Sequence, residues 1–152
     1  MHLTLRGDYI NGKFTAPQGL SGNEKSDEDV SRVCPSDLDL TLWKAQISYD
    51  NIEKVLDSAE KGYKSWRITS LSERLECLKR FKEEAIKRKD DMALAIAWET
   101  GKPLWEAKTE AGAIAGKVDV TINDSLERVK NKTINQVLPD IDGHFIYKPL
   151  GP

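Results

Sequence analysis

A chain of 152 residues with 32% charged and 39% hydrophobic side chains has the size and mix of one folded domain. Its formal net charge of −2, from 23 basic and 25 acidic residues, gives no electrostatic footing for nucleic acid or an anionic membrane surface. No apolar run approaches the roughly 20 residues of a membrane helix, and Met1 to Arg6 lacks the apolar core of a signal peptide, so the expectation is a cytoplasmic protein.

The first element is a hairpin over 8–14. Asn11-Gly12 suits a type I′ turn, in which both central residues need φ > 0, and Tyr9, Ile10 and Phe14 supply strand-type flanks. So short a hairpin must lie on something else. Residues 15–39 are rich in Gly, Ser, Asp and Pro, and 19–29 read as a polar loop. Val30 to Pro35 gives a short strand, and Leu40 to Ile47 a second. Ser48 is the expected N-cap of a helix whose apolar stripe is Ile52, Val55, Leu56, Ala59, Tyr63 and Trp66. Ser70 and Glu73 form a capping box that opens a second helix, with Leu71, Leu75, Leu78 and Phe81 turned inward. Lys82 to Asp91 reads as a solvated charged face, and Met92, Leu94, Ala95, Ile96 and Trp98 as a short buried helix.

That helix ends in a corner. Gly101 can close a helix in the left-handed conformation, and Pro103 suits the first position of the next. Trp98 and Trp105 flank the turn and read as core. A helix from Pro103 to about Asn131 would be about 40 Å long, with Gly112 and Gly116 permitting close approach by a neighbour. Thr133 to Leu138 and His144 to Lys148 then read as strands, joined by a turn at Asp142-Gly143.

Candidate chemistry is sparse. There is no glycine-rich phosphate loop, and His2 and His144 belong to no metal-ligand set. Glu99, Glu106 and Glu110 gather at the corner, with Lys102 in reach of Glu106; an ion-pair network fits them better than acid–base chemistry. Cys77 lies among apolar residues and Cys34 precedes a proline; neither has the exposed, electropositive setting of a nucleophilic thiolate. Arg74, in the first turns of the second helix, reads as solvated or salt-bridged rather than ligand-binding. No catalytic, cofactor-binding or metal residue is assigned.

Four stretches together resemble a known family. "ETGKP" followed by "WEAKTEA" (99–103 and 105–111), "INGKF" (10–14), "SxxERxxxLxRF" (70–81) and "KPLG" (148–151) resemble, in order and spacing, the N-terminal portion of the aldehyde dehydrogenase superfamily. The "GKPxWEAxTE" pattern at 101–110 is closest to its succinylglutamate semialdehyde branch. Cys34-Pro35-Ser36-Asp37 matches the family's "NPxxG" only in part, and Pro152 stands where valine is usual.

The resemblance implies an α/β family fold, here only its N-terminal part: short β-hairpins, about four helices and a two-stranded β arm. It implies residues 1–132 as the hairpin and helical part of the cofactor-binding domain, 133–148 as a β arm of oligomerisation type, and 149–152 as the truncated start of a Rossmann-like core. Family members oxidise an aldehyde through a thiohemiacetal on a cysteine, with hydride passing to NAD(P), a Glu as base and an Asn with backbone groups holding the oxyanion. In the family layout all of those residues fall beyond Pro152, so none is carried onto a position here. The implied expectation is a chain inactive alone, binding no NAD(P) alone, and associating with itself or docking on a relative through 133–148. The alternatives are a stand-alone oligomerisation or interaction module, and an α+β domain of unassigned role.

Overall fold

The computed structural model describes residues 6–15, 28–47 and 49–152, without the side chains of residues 28, 29, 46 and 47. Four α-helices and three separate two-stranded antiparallel sheets make up these residues. The first sheet is the expected hairpin, β1 (Asp8–Ile10) with β2 (Lys13–Thr15). Asn11 at φ 50° and Gly12 at φ 78° take its turn, as a type I′ geometry demands. It lies on α1 (Ile52–Trp66) through polar groups. Asn51 Nδ2 donates to Asp8 Oδ2 at 3.0 Å, and Ser58 Oγ donates to Asn11 Oδ1 at 2.9 Å.

The second sheet pairs β3 (Glu28–Cys34) with β4 (Asp37–Ile47) across a tight turn at Pro35-Ser36. Both strands reach further into the stretch expected to be loop. Glu28 and Asp29 already pair with Ile47 and Gln46, and β4 starts at Asp37 rather than Leu40. The register shifts between Arg32 and Cys34, so the polar residues near the turn sit in an irregular ladder that an alternation pattern does not reveal. The rest of the expected polar loop, 16–27, lies outside the described residues, as does Ser48. Asn51, not Ser48, occupies the N-cap position of α1.

The stripe on α1 forms as expected but stays uncovered: Ile52 is 48% exposed and Leu56 58%. On α2 (Leu71–Lys87) the capping box is complete, with Glu73 N–H to Ser70 Oγ at 3.2 Å and Ser70 N–H to Glu73 Oε2 at 3.0 Å. Two of its four inward residues are not inward: Leu71 and Phe81 are exposed, while Leu75 and Leu78 are half-buried. The buried residue of α2 is Ala85, inside the run read as a solvated face. Lys82, in the same run, crosses to α4 and binds Asp119 at 2.7 Å.

The core is made of small side chains. α3 (Lys89–Thr100) and α4 (Leu104–Asn123) meet through Ala93, Ala107 and Ala111, each at most 1% exposed, with Met92, Ile96 and Ala97 packed around them. Alanines at the contact let the helix axes approach closely and bury backbone along with side chains. A Cβ at Gly112 would stand 3.3 Å from the end of the Lys89 side chain, while one at Gly116 would meet nothing within 4 Å, so only the first glycine has the close neighbour expected of both.

α4 is shorter than its periodicity suggests. It starts at Leu104, with Pro103 at φ −59°, ψ 142° in the cap position, and ends at Asn123. Its length is about 30 Å. The helix ends where three residue types of low helix propensity, Asn123, Asp124 and Ser125, follow one another. A 3₁₀ segment, Ser125–Val129, carries the apolar pattern onward.

The third sheet, β5 (Lys132–Leu138) with β6 (Ile141–Phe145), turns at Pro139-Asp140 rather than at Asp142-Gly143. Asp140 supplies the positive φ of that turn, at 61°. Gly143 instead pairs with Ile134 inside the ladder. Gln136, at φ 53°, bulges out of β5 and donates its N–H to Asp142 Oδ1 at 2.8 Å. Among the described residues no helix is long and apolar enough to cross a membrane.

Candidate functional site

The corner between α3 and α4 gathers most of the polar residues that the sequence singles out. Gly101 ends α3 at φ 75°, ψ 8°, its N–H bonded to Ala97 O at 2.9 Å. A Cβ at Gly101 would stand 3.0 Å from Pro35 Cβ, so the β3–β4 turn is seated directly on the corner. Glu99 fastens the two together. Its Oε1 accepts the indole N–H of Trp43 at 2.7 Å, and its carbonyl accepts Arg32 Nε at 3.1 Å and the Arg32 Nη2 as well.

On the other side of the corner, Lys102 Nζ pairs with Glu106 at 3.4 Å and with Glu110. Glu110 first, and Glu106 after it, hold this ammonium above its ordinary pKa against the opposing effect of its partial burial. All three corner carboxylates therefore have cationic or N–H partners, and the cluster is a structural network. The tryptophans divide: Trp98 is half-buried, but Trp105 is 72% exposed and is not core. Trp105 occupies the first turn of α4, where its side chain points away from Ala107 and Ala111.

The thiols are structural in setting. Cys34 is buried, with Sγ 3.1 Å from Ser36 Oγ, and that hydrogen bond pulls the thiol below its ordinary pKa while burial opposes it. Cys77 is half-buried and accepts from Arg80 Nη2 at 3.1 Å. It borders an open groove of about 380 Å³ lined also by Thr69, Ser72, Glu73 and Glu76. His144 is exposed on β6, its Nδ1 3.1 Å from Thr133 Oγ1; His2 lies outside the described residues. Arg74 is half-buried, and its Nε is buried and makes no hydrogen bond. Among the described residues no three His, Cys, Asp or Glu side chains come together to hold a metal ion.

A dinucleotide would need open backbone N–H groups at a helix N-terminus for its pyrophosphate. Each helix here has a carboxylate of its own in the first turn: Glu53, Glu73, Asp90 with Asp91, and Glu106. The hollow beside α1, lined by Asp8, Asn51, Ile52, Val55 and Leu56, measures about 190 Å³, below the roughly 300 Å³ at which small-molecule sites begin.

Several contacts among the described residues have no local signature in the sequence. Trp43 to Glu99 spans 56 positions, Arg32 to Glu99 spans 67, Asn51 to Asp8 spans 43, and Tyr63 Oη to Pro149 O, at 3.1 Å, spans 86. Asn51, 2% exposed, is the buried polar residue among those described, and its Oδ1 also accepts from Lys54 at 3.3 Å. Helical or strand periodicity reports none of these pairs.

Comparison with known proteins places the arrangement. Residues 23–152 match the model of the aldehyde dehydrogenase family. Over 144 residues the chain is 31% identical to an N-succinylglutamate 5-semialdehyde dehydrogenase of Chromobacterium violaceum, a match covering 94% of this chain and 27% of that protein. A protein of the same name from Paraburkholderia xenovorans is 40% identical over 92 residues, covering 60% of this chain and 19% of the relative. The NAD-dependent aldehyde dehydrogenase of Sinorhizobium meliloti superposes with a TM-score of 0.72 at 21% identity, over 89% of this chain and 26% of that one. The chain thus spans about a quarter of the length of the relatives it matches. Its four helices and short antiparallel strand pairs have the fold of the N-terminal part of those proteins, and the chain belongs to the aldehyde dehydrogenase family.

Proposed function

We propose that these residues are the N-terminal part of an NAD(P)-dependent aldehyde dehydrogenase that oxidises succinylglutamate semialdehyde to its acid in arginine breakdown. The observation that carries this reading is the 31% identity to the Chromobacterium violaceum enzyme across 94% of the chain. The exposed apolar stripe of α1 is consistent with it, because a self-contained domain covers the apolar face of an amphipathic helix. In this reading residues 1–132 carry the hairpin and helical part of a cofactor-binding domain, 133–148 form an arm, and 149–152 begin a Rossmann-like core. Its setting is the cytoplasm.

On the same reading the residues described here supply scaffold rather than chemistry. Glu99 ties the β3–β4 hairpin to the helix corner, Lys102 ties the corner to α4, and Lys82 with Asp119 ties α2 to α4. The 152-residue chain by itself neither reduces NAD(P) nor binds it. The test is to purify that chain, establish helical content by circular dichroism, and follow NAD(P)H formation with succinylglutamate semialdehyde. A folded chain with no turnover is the expected result, and steady NAD(P)H production would overturn it. Intact mass of the product in its own cells decides whether a larger enzyme carries these residues.

A second reading, an interaction module without catalysis, is favoured by the β5–β6 ribbon. Every residue of both strands is exposed except the half-buried Gly143, and Val137, Leu138, Ile141 and Phe145 are among them. An exposed two-stranded ribbon with apolar side chains invites pairing with another chain. Sedimentation of the purified chain tests this: concentration-dependent association lost on deletion of 133–148 supports it, and a monomer throughout excludes self-association by this route.

A further inference from the structure

We draw no further inference here: the strongest candidate, the uncovered apolar face of α1 around Ile52, Val55 and Leu56 with the small hollow beside it, carries nothing because no element of the structure shows what covers it.

Discussion

Trp43 donates its indole N–H to Glu99 Oε1 at 2.7 Å, while Arg32, paired with Trp43 on the neighbouring strand, donates to the Glu99 carbonyl. One residue at the end of α3 thus holds both strands of the β3–β4 hairpin. Trp43→Phe removes the donor and leaves a part-buried carboxylate without it, a loss of about 1–3 kcal/mol. Glu99→Gln keeps an acceptor and is expected to cost less, since a charge-assisted bond is roughly twice as strong as a neutral one. Urea midpoints of the three proteins check the order; a Trp43→Phe midpoint equal to that of the parent would show that the bond contributes nothing.

Two glycines give opposite expectations. Gly101→Ala places a Cβ at φ 75° and 3.0 Å from the rigid Pro35 ring, and a left-handed non-glycine residue alone costs roughly 1–2 kcal/mol. Gly116 sits in the body of α4 with nothing within 4 Å of a Cβ, so Gly116→Ala is expected to stabilise by about 0.5–1 kcal/mol. Thermal melts of both variants should move in opposite directions, and movement in the same direction would contradict the local geometry.

The capping box on α2 makes a pH-dependent prediction. The hydroxyl of Ser70 and then its backbone N–H hold the Glu73 carboxyl below the ordinary carboxylate range. A depressed folded value means the contribution is fully present above the unfolded pKa, about 4.3, and is lost as the pH falls through the folded one. Ser70→Ala is expected to cost about 1 kcal/mol near neutral pH. That deficit should shrink as the pH falls below about 4.3 and Glu73 protonates in both proteins. A deficit independent of pH would assign the effect to the bond that the hydroxyl accepts from the Glu73 N–H.

Charge on the bare face of α1 separates the chain by itself from the same residues in a longer protein. Leu56 is more than half exposed, so Leu56→Lys is expected to change the stability of the 152-residue chain by no more than about 0.5 kcal/mol. Ala111→Leu, by contrast, forces volume into the contact between α3 and α4 and is expected to cost about 1–3 kcal/mol. If the longer protein of the proposed function buries that face, Leu56→Lys should greatly lower its soluble yield. Equal tolerance in both settings would count against the longer protein burying it.

Local elements were legible in the sequence, and their partners were not. Asn11-Gly12, the Ser70–Glu73 box and the Gly101 stop each act within four residues, and each appears as expected. The apolar period of α4 ran past its true end because Leu126 and Val129 continue the pattern in a 3₁₀ segment of different pitch. The last hairpin turned at Pro139-Asp140 because a bulge at Gln136 uses Asp142 as an acceptor, which draws Asp142-Gly143 into the ladder. At the corner, the pairing of Lys102 with Glu106 followed from helical spacing, whereas Trp43 as the partner of Glu99 depends on how two hairpin strands lie across a helix end. Family membership was legible in four short motifs because their order and spacing, rather than any one of them, carry the likeness.

The hydrogen bond from Tyr63 to the Pro149 carbonyl also imposes an order on synthesis. α3 and α4 follow one another directly and close on each other as soon as both have left the ribosome, since a short loop loses little entropy on closing. α1 is made before either, but its tie to Pro149 spans 86 positions and cannot form until Pro149 has been made. Until then α1 has the small β1–β2 hairpin to lie on, so a helix made before α3 and α4 completes its contacts after those two have met.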